Sequence, residues 1–169
     1  MLNRRSVILA GAAALAGCAG GTVDTAPRFL AYDGPPVTGI VAWKARRQMA
    51  VLSGDRILRS WHFELGFNPV GHKQFEGDGK TPEGQYVIDR KNPRSAYHLS
   101  VGVSYPNDAD RAYAREMGRR PGGDIFFHGT PREMLGKPDW TAGCLAITNE
   151  QVEELYAMIP VRTPVLILA

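Results

Sequence analysis

Tyr97-His98-Leu99-Ser100-Val101-Gly102-Val103-Ser104-Tyr105 alternates at every step. Tyr97, Leu99, Val101, Val103 and Tyr105 fall on one face of an extended strand, and His98, Ser100, Gly102 and Ser104 on the other. One face is built for burial. The other is small and polar, suited to floor a cleft or simply to meet water. Further strands lie on both sides. Upstream, Ile40–Trp43 and Gln48–Leu52 read as strands, Ser53-Gly54-Asp55 as a turn, and Arg56–Leu65 as the return arm of a hairpin. Residues 66–81 form a Gly-rich connection, and Gly84–Ile88 is strand-like again. Downstream, Asp108–Arg119 predicts a short polar helix, and Asp124–Phe127 a strand that runs directly into His128-Gly129-Thr130. Thr148-Asn149-Glu150-Gln151 fits a capping box, and Val152, Leu155, Tyr156 and Ile159 supply a helical apolar stripe. Pro160 ends that helix, and Val165–Leu168 reads as a buried closing strand. The expectation is a mainly β domain, a mixed sandwich or barrel-like sheet, with one or two packed short helices.

The chain has 169 residues, enough for one domain of ordinary size. With 44% hydrophobic and 22% charged residues it is globular and not disordered. Its 19 Gly and 12 Pro cut it into pieces too short for an all-helical bundle. Met1-Leu2-Asn3-Arg4-Arg5-Ser6 precedes a short apolar run that ends at Gly17-Cys18. A basic start, an apolar run and small residues describe an export signal over residues 1–17, too short to cross a hydrocarbon core of about 30 Å. Leu15-Ala16-Gly17-Cys18 resembles the bacterial lipobox, which implies a lipidated Cys18 at the start of the mature protein. Arg4-Arg5 loosely resembles a twin-arginine signal. Ala19, where Asp would favour inner-membrane retention, points to the outer membrane. The expected location is therefore periplasm-facing and membrane-anchored. Residues 18–38 read as a flexible tether and 39–169 as the domain, taken as a monomer.

Export removes two arginines and no acid, leaving 18 cations against 17 anions. No basic patch remains to suggest nucleic acid. Cys18 and Cys144 are the only cysteines. If lipid consumes the first, Cys144 is a lone thiol in a compartment where pairing is the usual fate.

Several chemistries are excluded by spacing. Gly77-Asp78-Gly79-Lys80-Thr81 lacks the glycine a phosphate loop needs, because position 74 is Gln. The four histidines, 62, 72, 98 and 128, are scattered singly, so neither a metal nor a cofactor is expected. Ser-x-x-Lys and Gly-x-Ser-x-Gly are both absent. What remains is His128, at the end of an apolar strand, and Cys144 in Thr141-Ala142-Gly143-Cys144. A free thiol has a pKa near 8.5, so it needs a base to become a nucleophile at neutral pH. Pro131, Gly136 and Pro138 mark turns between the two, and a strand–loop–strand return can bring them together. Gly143 permits close backbone approach, and its N–H with that of Cys144 can cradle an oxyanion. On spacing alone a lone His and a lone Cys are more often core or surface residues than a dyad.

His128-Gly129-Thr130 followed by Thr141-Ala142-Gly143-Cys144 resembles the His-Gly-Thr … Ser/Thr-x-Gly-Cys signature of the L,D-transpeptidase family, the YkuD-type catalytic domain. Gly77-Asp78-Gly79-Lys80-Thr81-Pro82-Glu83-Gly84-Gln85-Tyr86-Val87-Ile88 is similar to that family's upstream element. Leu65–Gln74 and Ser104-Tyr105-Pro106-Asn107 look more like its YafK-like branch. The resemblance spans Gly39 to the C-terminus and implies Cys144 as nucleophile and His128 as base, oriented by the Gly129 carbonyl, with Thr141 in the motif's Ser/Thr position. It also implies peptidoglycan tetrapeptide stems as substrate, a thioester acyl-enzyme, and release of D-Ala. Many relatives carry Arg two residues after the Cys; here that position is Ala146. Some YafK-like members instead hydrolyse the diaminopimelate–lysine link between peptidoglycan and a lipoprotein, and a catalytically silent binding module is a third reading. His98 lines the cleft or is structural. Arg94, Arg132 and Lys137 are candidates for the stem's carboxylates, and Trp140 either walls the site or belongs to the core.

Overall fold

The structure, a computed structural model, describes residues 26–169. The export signal, Cys18 and the first part of the tether lie outside the described residues. Strands β1 (Gly39–Trp43), β2 (Gln48–Ser53) and β3 (Arg56–His62) form an antiparallel meander. The chain continues through β4 (Gly84–Ser95), β5 (His98–Val103), helix α1 (Asp108–Glu116), β6 (Ile125–His128), β7 (Leu145–Ala146), helix α2 (Asn149–Met158) and β8 (Pro164–Leu168). One mixed sheet of eight strands results, in the order β3-β2-β1-β8-β4-β5-β6-β7. The mainly β, barrel-like reading with two short helices therefore holds.

The sheet curls until its edges meet. Just past β3, Glu64 and Ala146 exchange backbone hydrogen bonds of 2.8 and 2.9 Å, so the β3 edge reaches the β7 edge. Thr141 N–H donates to Leu65 at 3.0 Å, and Phe67 N–H returns a bond to Thr141 at 2.9 Å. Closure of this kind removes exposed ladder edges. It also delivers residues 141–146, and with them Cys144, to a seam held from both sides.

The core follows the alternation in the sequence. Leu99, Val101 and Val103 of β5 pack with Ile125 and Phe127 of β6 and with Met49 and Val51 of β2. Helix α2 adds Val152, Leu155 and Met158 from its apolar stripe and lies against β5 and β6. Its start is fixed by the expected capping box, Thr148 accepting from Gln151 N–H while the Gln151 side chain accepts from Thr148 N–H. Truncating fully buried Phe63 or Phe127 to Ala costs about 3–5 kcal/mol.

Three details depart from the pattern. β4 continues to Ser95 despite Pro93, because the β4–β5 register shifts between Asn92 and Ser95 where proline offers no N–H. Tyr97, expected on the buried face, is 43% exposed: His98, the first residue of β5, takes a positive φ of 70° and breaks the alternation there. β7 is only two residues long and carries no periodicity. Residues 26–38 run irregularly, with Val37 joining the core. Arg28 donates from its N–H and its Nε to Glu153, at 2.8 and 2.9 Å.

Candidate active site

β6 and β7 run parallel, with Phe127 opposite Leu145 and His128 opposite Ala146. Paired residues point to the same face. Cys144, two residues before Ala146, thus comes to the side of the sheet that carries His128. Both line one cavity of about 320 Å³, with Tyr97, Trp140 and Thr141 in its wall.

The turn that presents Cys144 is dictated by contacts behind it. Thr141 Oγ1 donates to the Cys144 carbonyl at 2.8 Å and accepts from Gly143 N–H at 3.1 Å. Gly143 has φ of 131°, and a Cβ there would lie 2.5 Å from the Lys80 carbonyl oxygen. Gly66 crosses the same spot, its would-be Cβ 2.1 Å from the Gly79 oxygen and 2.9 Å from Gly143 Cα. Three backbones therefore meet where only glycine fits. The segment Gly77–Gly84 serves as the backstop of the Cys144 turn. Gly143 N–H, expected among the oxyanion donors, is occupied by the Thr141 hydroxyl.

His128 is buried at 3% exposure. Its Nδ1–H donates to the Gly129 carbonyl at 2.8 Å, which leaves Nε2 unprotonated and able to accept. Tyr97 stacks on the imidazole at 4.6 Å between ring centroids, and Trp140 meets it edge-on at 5.6 Å. Burial holds the imidazole pKa below its ordinary value, against the opposing Gly129 bond. The Cys144 thiol is partly exposed and donates to the Asp124 carbonyl at 3.3 Å. Burial pushes its pKa up to about 11; the Phe126 N–H works the other way, and the Asp124 carboxylate adds to the rise. Both shifts favour the uncharged forms, thiol and neutral imidazole.

The loop carrying Trp140 is clamped at Asp139. Arg47 donates to both Asp139 oxygens, Nε to Oδ1 at 2.8 Å and Nη2 to Oδ2 at 2.6 Å. Leu65 N–H adds a third bond at 3.2 Å, and Asp139 N–H donates to Glu64 at 2.9 Å. Chiefly the Arg47 guanidinium holds the Asp139 carboxyl below the usual carboxylate range. Behind the thiol, Asp78 accepts from the N–H groups of Gln74, Phe75 and Lys80 and from buried Lys73. Burial opposes its charge, but those donors hold its pKa down. Lys44, 2% exposed, ties β1 to the same loop through Gly71, Thr81 and Glu83. None of these ties was foreseen. The partners of Arg47 and Lys44 are distant in sequence, whereas those of Asp78 are local and only the bare Gly-Asp-Gly pattern marks them.

The remaining candidates divide. Gly129 and Trp140 flank His128 as described. His98 turns to α2, where its Nε2 lies 2.9 Å from Glu153, and so sits beside the Cys144–His128 cavity without lining it. Arg94 is exposed at the far end of β4. Arg132 and Lys137 bracket the cavity residues Glu133 and Met134. His72, to which no chemistry was given, accepts from Glu83 N–H and pairs with Asp110. Among the described residues no three His, Cys, Asp or Glu side chains converge as metal ligands.

This is a curled β-sheet domain with a cysteine and a histidine on one cavity, the fold of the L,D-transpeptidase catalytic domains. Residues 38–167 match the family described as YkuD, L,D-transpeptidase catalytic domain, and the chain belongs to that family. It is 32% identical over 92 residues to the Escherichia coli (strain K12) protein named "Putative L,D-transpeptidase YafK", a match covering 53% of this chain and 32% of that one. The helical cell shape determining protein Pgp2 of Campylobacter jejuni is similar in structure, with TM-score 0.62 and 26% identity over 82% of this chain and 49% of Pgp2. An L,D-transpeptidase from Mycobacterium smegmatis shares the fold at TM-score 0.53 and 16% identity, covering 77% of this chain and 58% of its own. The chain thus spans about a third of the curated relative it matches and half of Pgp2.

Proposed function

We propose that the domain is a cysteine L,D-transpeptidase acting on peptidoglycan tetrapeptide stems through a thioester. The observation that carries this reading is the shared cavity of Cys144 and His128, with Nδ1 of the imidazole anchored on Gly129 and Nε2 left as the acceptor. In the productive geometry the Cys144 S–H turns from the Asp124 carbonyl to Nε2, which takes its proton as sulfur attacks the carbonyl that precedes the terminal D-Ala. The tetrahedral adduct collapses as imidazolium returns that proton to the departing amine. An acceptor amine or water then resolves the thioester. Catalysis starting from a neutral pair needs the base in every turnover, since little thiolate exists beforehand.

Two other readings share the site. Hydrolysis of a diaminopimelate–lysine amide uses the same nucleophile, and Ala146 in place of the Arg of many relatives agrees with it. The resting thiol's bond to Asp124 favours a silent peptidoglycan-binding module. Incubation with tetrapeptide muropeptides and with lipoprotein-linked muropeptides, followed by product mass analysis, separates all three. Cross-linked product supports transfer, freed lipopeptide supports the hydrolase, and sacculus binding without product supports the silent module.

The chain acts on the periplasmic side, held to the outer membrane by lipid on Cys18. The supports are the lipobox-like Leu15-Ala16-Gly17-Cys18 and the peptidoglycan chemistry of the domain. The test is fractionation: Cys18→Ser moves the protein from the outer-membrane fraction to a soluble one, and no change in fraction sinks the anchor.

A further inference from the structure

Register places a second set of charged groups on the nucleophile's face of the sheet. Arg90 in β4 pairs with Gly102 in β5, and Gly102 with Phe126 in β6. Asn92, Ser100, His128 and Ala146 make the next row on the same face, about 7 Å further along. Cys144, two residues before Ala146 on a chain parallel to β6, comes level with Phe126. The thiol therefore lies at the end of the Arg90–Gly102–Phe126 row.

Gly102 is what lets Arg90 cross that row. A Cβ there would lie 2.8 Å from Arg90 Cγ and 2.3 Å from Asp89 Oδ1. With none present, the guanidinium lies over the Phe126 ring at 4.5 Å and donates to Asp124 Oδ1 at 2.9 Å and to Asp89 Oδ2 at 2.6 Å. Asp124 is the residue whose carbonyl accepts the thiol, and its backbone takes a φ of 55°, in a region that disfavours side chains. Its carboxylate is nonetheless 89% exposed, and the Arg90 side chain 44%. Cys144 thus separates two unlike neighbours, an aromatic cavity towards His128 and an open arginine–carboxylate pair towards Asp124.

We propose that Arg90 and Asp124 form a subsite for an α-amino-acid head, a group carrying ammonium and carboxylate on one carbon. The inference rests on the stem-peptide reading, in which the residue whose carbonyl is attacked bears such a head at the end of its side chain. A ligand carboxylate can pair with Arg90 and a ligand ammonium with the two carboxylates beside it, so a head that carries both charges engages both sides of the pair. The spacing also fits, since Asp124 accepts the thiol through its own carbonyl and so lies within one side chain's reach of the reacting carbon. The subsite supplies a cation to the substrate where Ala146 cannot.

Binding measured by calorimetry in the Cys144→Ala protein tests this without requiring turnover. Three tetrapeptide stems serve as probes: one with diaminopimelate at the third position, one with its distal carboxyl amidated, and one with lysine there. The free head is expected to bind at least about tenfold tighter than either analogue. In Arg90→Gln on the same background that preference falls to within about twofold; Arg90→Lys restores part of it, and Asp124→Asn weakens all three stems alike, because each keeps the side-chain ammonium. Equal affinity for the three stems, or a preference that survives Arg90→Gln, overturns the subsite. Turnover by the unmodified chain bears separately on the enzyme reading: stems bound with discrimination but never turned over sink catalysis and leave the subsite standing.

Discussion

Two loops converge on Cys144, and they are built in opposite ways. The one behind it, residues 66–83, is fixed from within by Asp78, by the buried ammonium groups of Lys44 and Lys73, and by a backbone crossing that admits only glycine. The one in front, residues 131–138, closes on local turns such as Met134 N–H to Pro131 and Lys137 N–H to Met134, and leaves Leu135 61% exposed. Just past it comes the clamp at Asp139. The difference assigns the two loops separate work. The rear loop sets where the sulfur is; the front loop shapes what reaches it.

The sharpest break of that contrast is Gly143→Ala. A side chain at φ of 131°, aimed 2.5 Å from the Lys80 carbonyl, forces either the turn or the rear loop to move. We expect a loss of about 3 kcal/mol or more, read as a fall in Tm of roughly 10 °C in thermal unfolding. A Tm within a degree of the parent would mean that the rear loop is yielding.

Asp139→Asn comes next. It leaves Arg47 and the Leu65 N–H with weaker partners at a partly exposed site, for a cost of about 1–3 kcal/mol. Because the folded pKa of Asp139 is depressed, its contribution is present above the ordinary carboxylate value of 3.8 and is lost as pH falls through the lower folded one. Parent and variant should therefore differ at pH 7 and converge in acid, as followed by denaturant titration. An equal gap at both pH values would separate the clamp from its charge.

The thiol gives a third comparison, since both loops bear on its pKa. With that value at about 11, alkylation of Cys144 by iodoacetamide should climb steadily with pH through 9. A plateau near neutrality would reveal a preformed thiolate–imidazolium pair. His128 shifts the other way. Its lowered pKa makes protonation cost stability, so that contribution is complete above the ordinary value of 6.5 and fades below it. At the small end, Leu135→Ser in the front loop should leave stability within about 0.5 kcal/mol while altering KM for stem peptides.

How much of this was legible depends on the range of the forces involved. The alternation of Tyr97–Tyr105, the hairpin at Ser53-Gly54-Asp55 and the capping box at Thr148 are local signals, and each marks a real element. The pairing of His128 with Cys144 was visible through a family signature, and the parallel β6–β7 register is what puts them on one face. Tyr97 was misplaced because one residue at positive φ reversed its side. The Arg47–Asp139 clamp joins residues far apart in the chain, and neither residue type nor spacing announces it. β7 is two residues long because closure of the curled sheet, not local propensity, creates it.

The most direct measurement is the intact mass of the folded protein after brief exposure to a tetrapeptide stem. We expect an increment on Cys144 equal to the stem less its terminal D-Ala, absent in Cys144→Ala and strongly slowed in His128→Ala. A protein that binds the stem yet never gains that mass, and releases no D-Ala, would contradict the account.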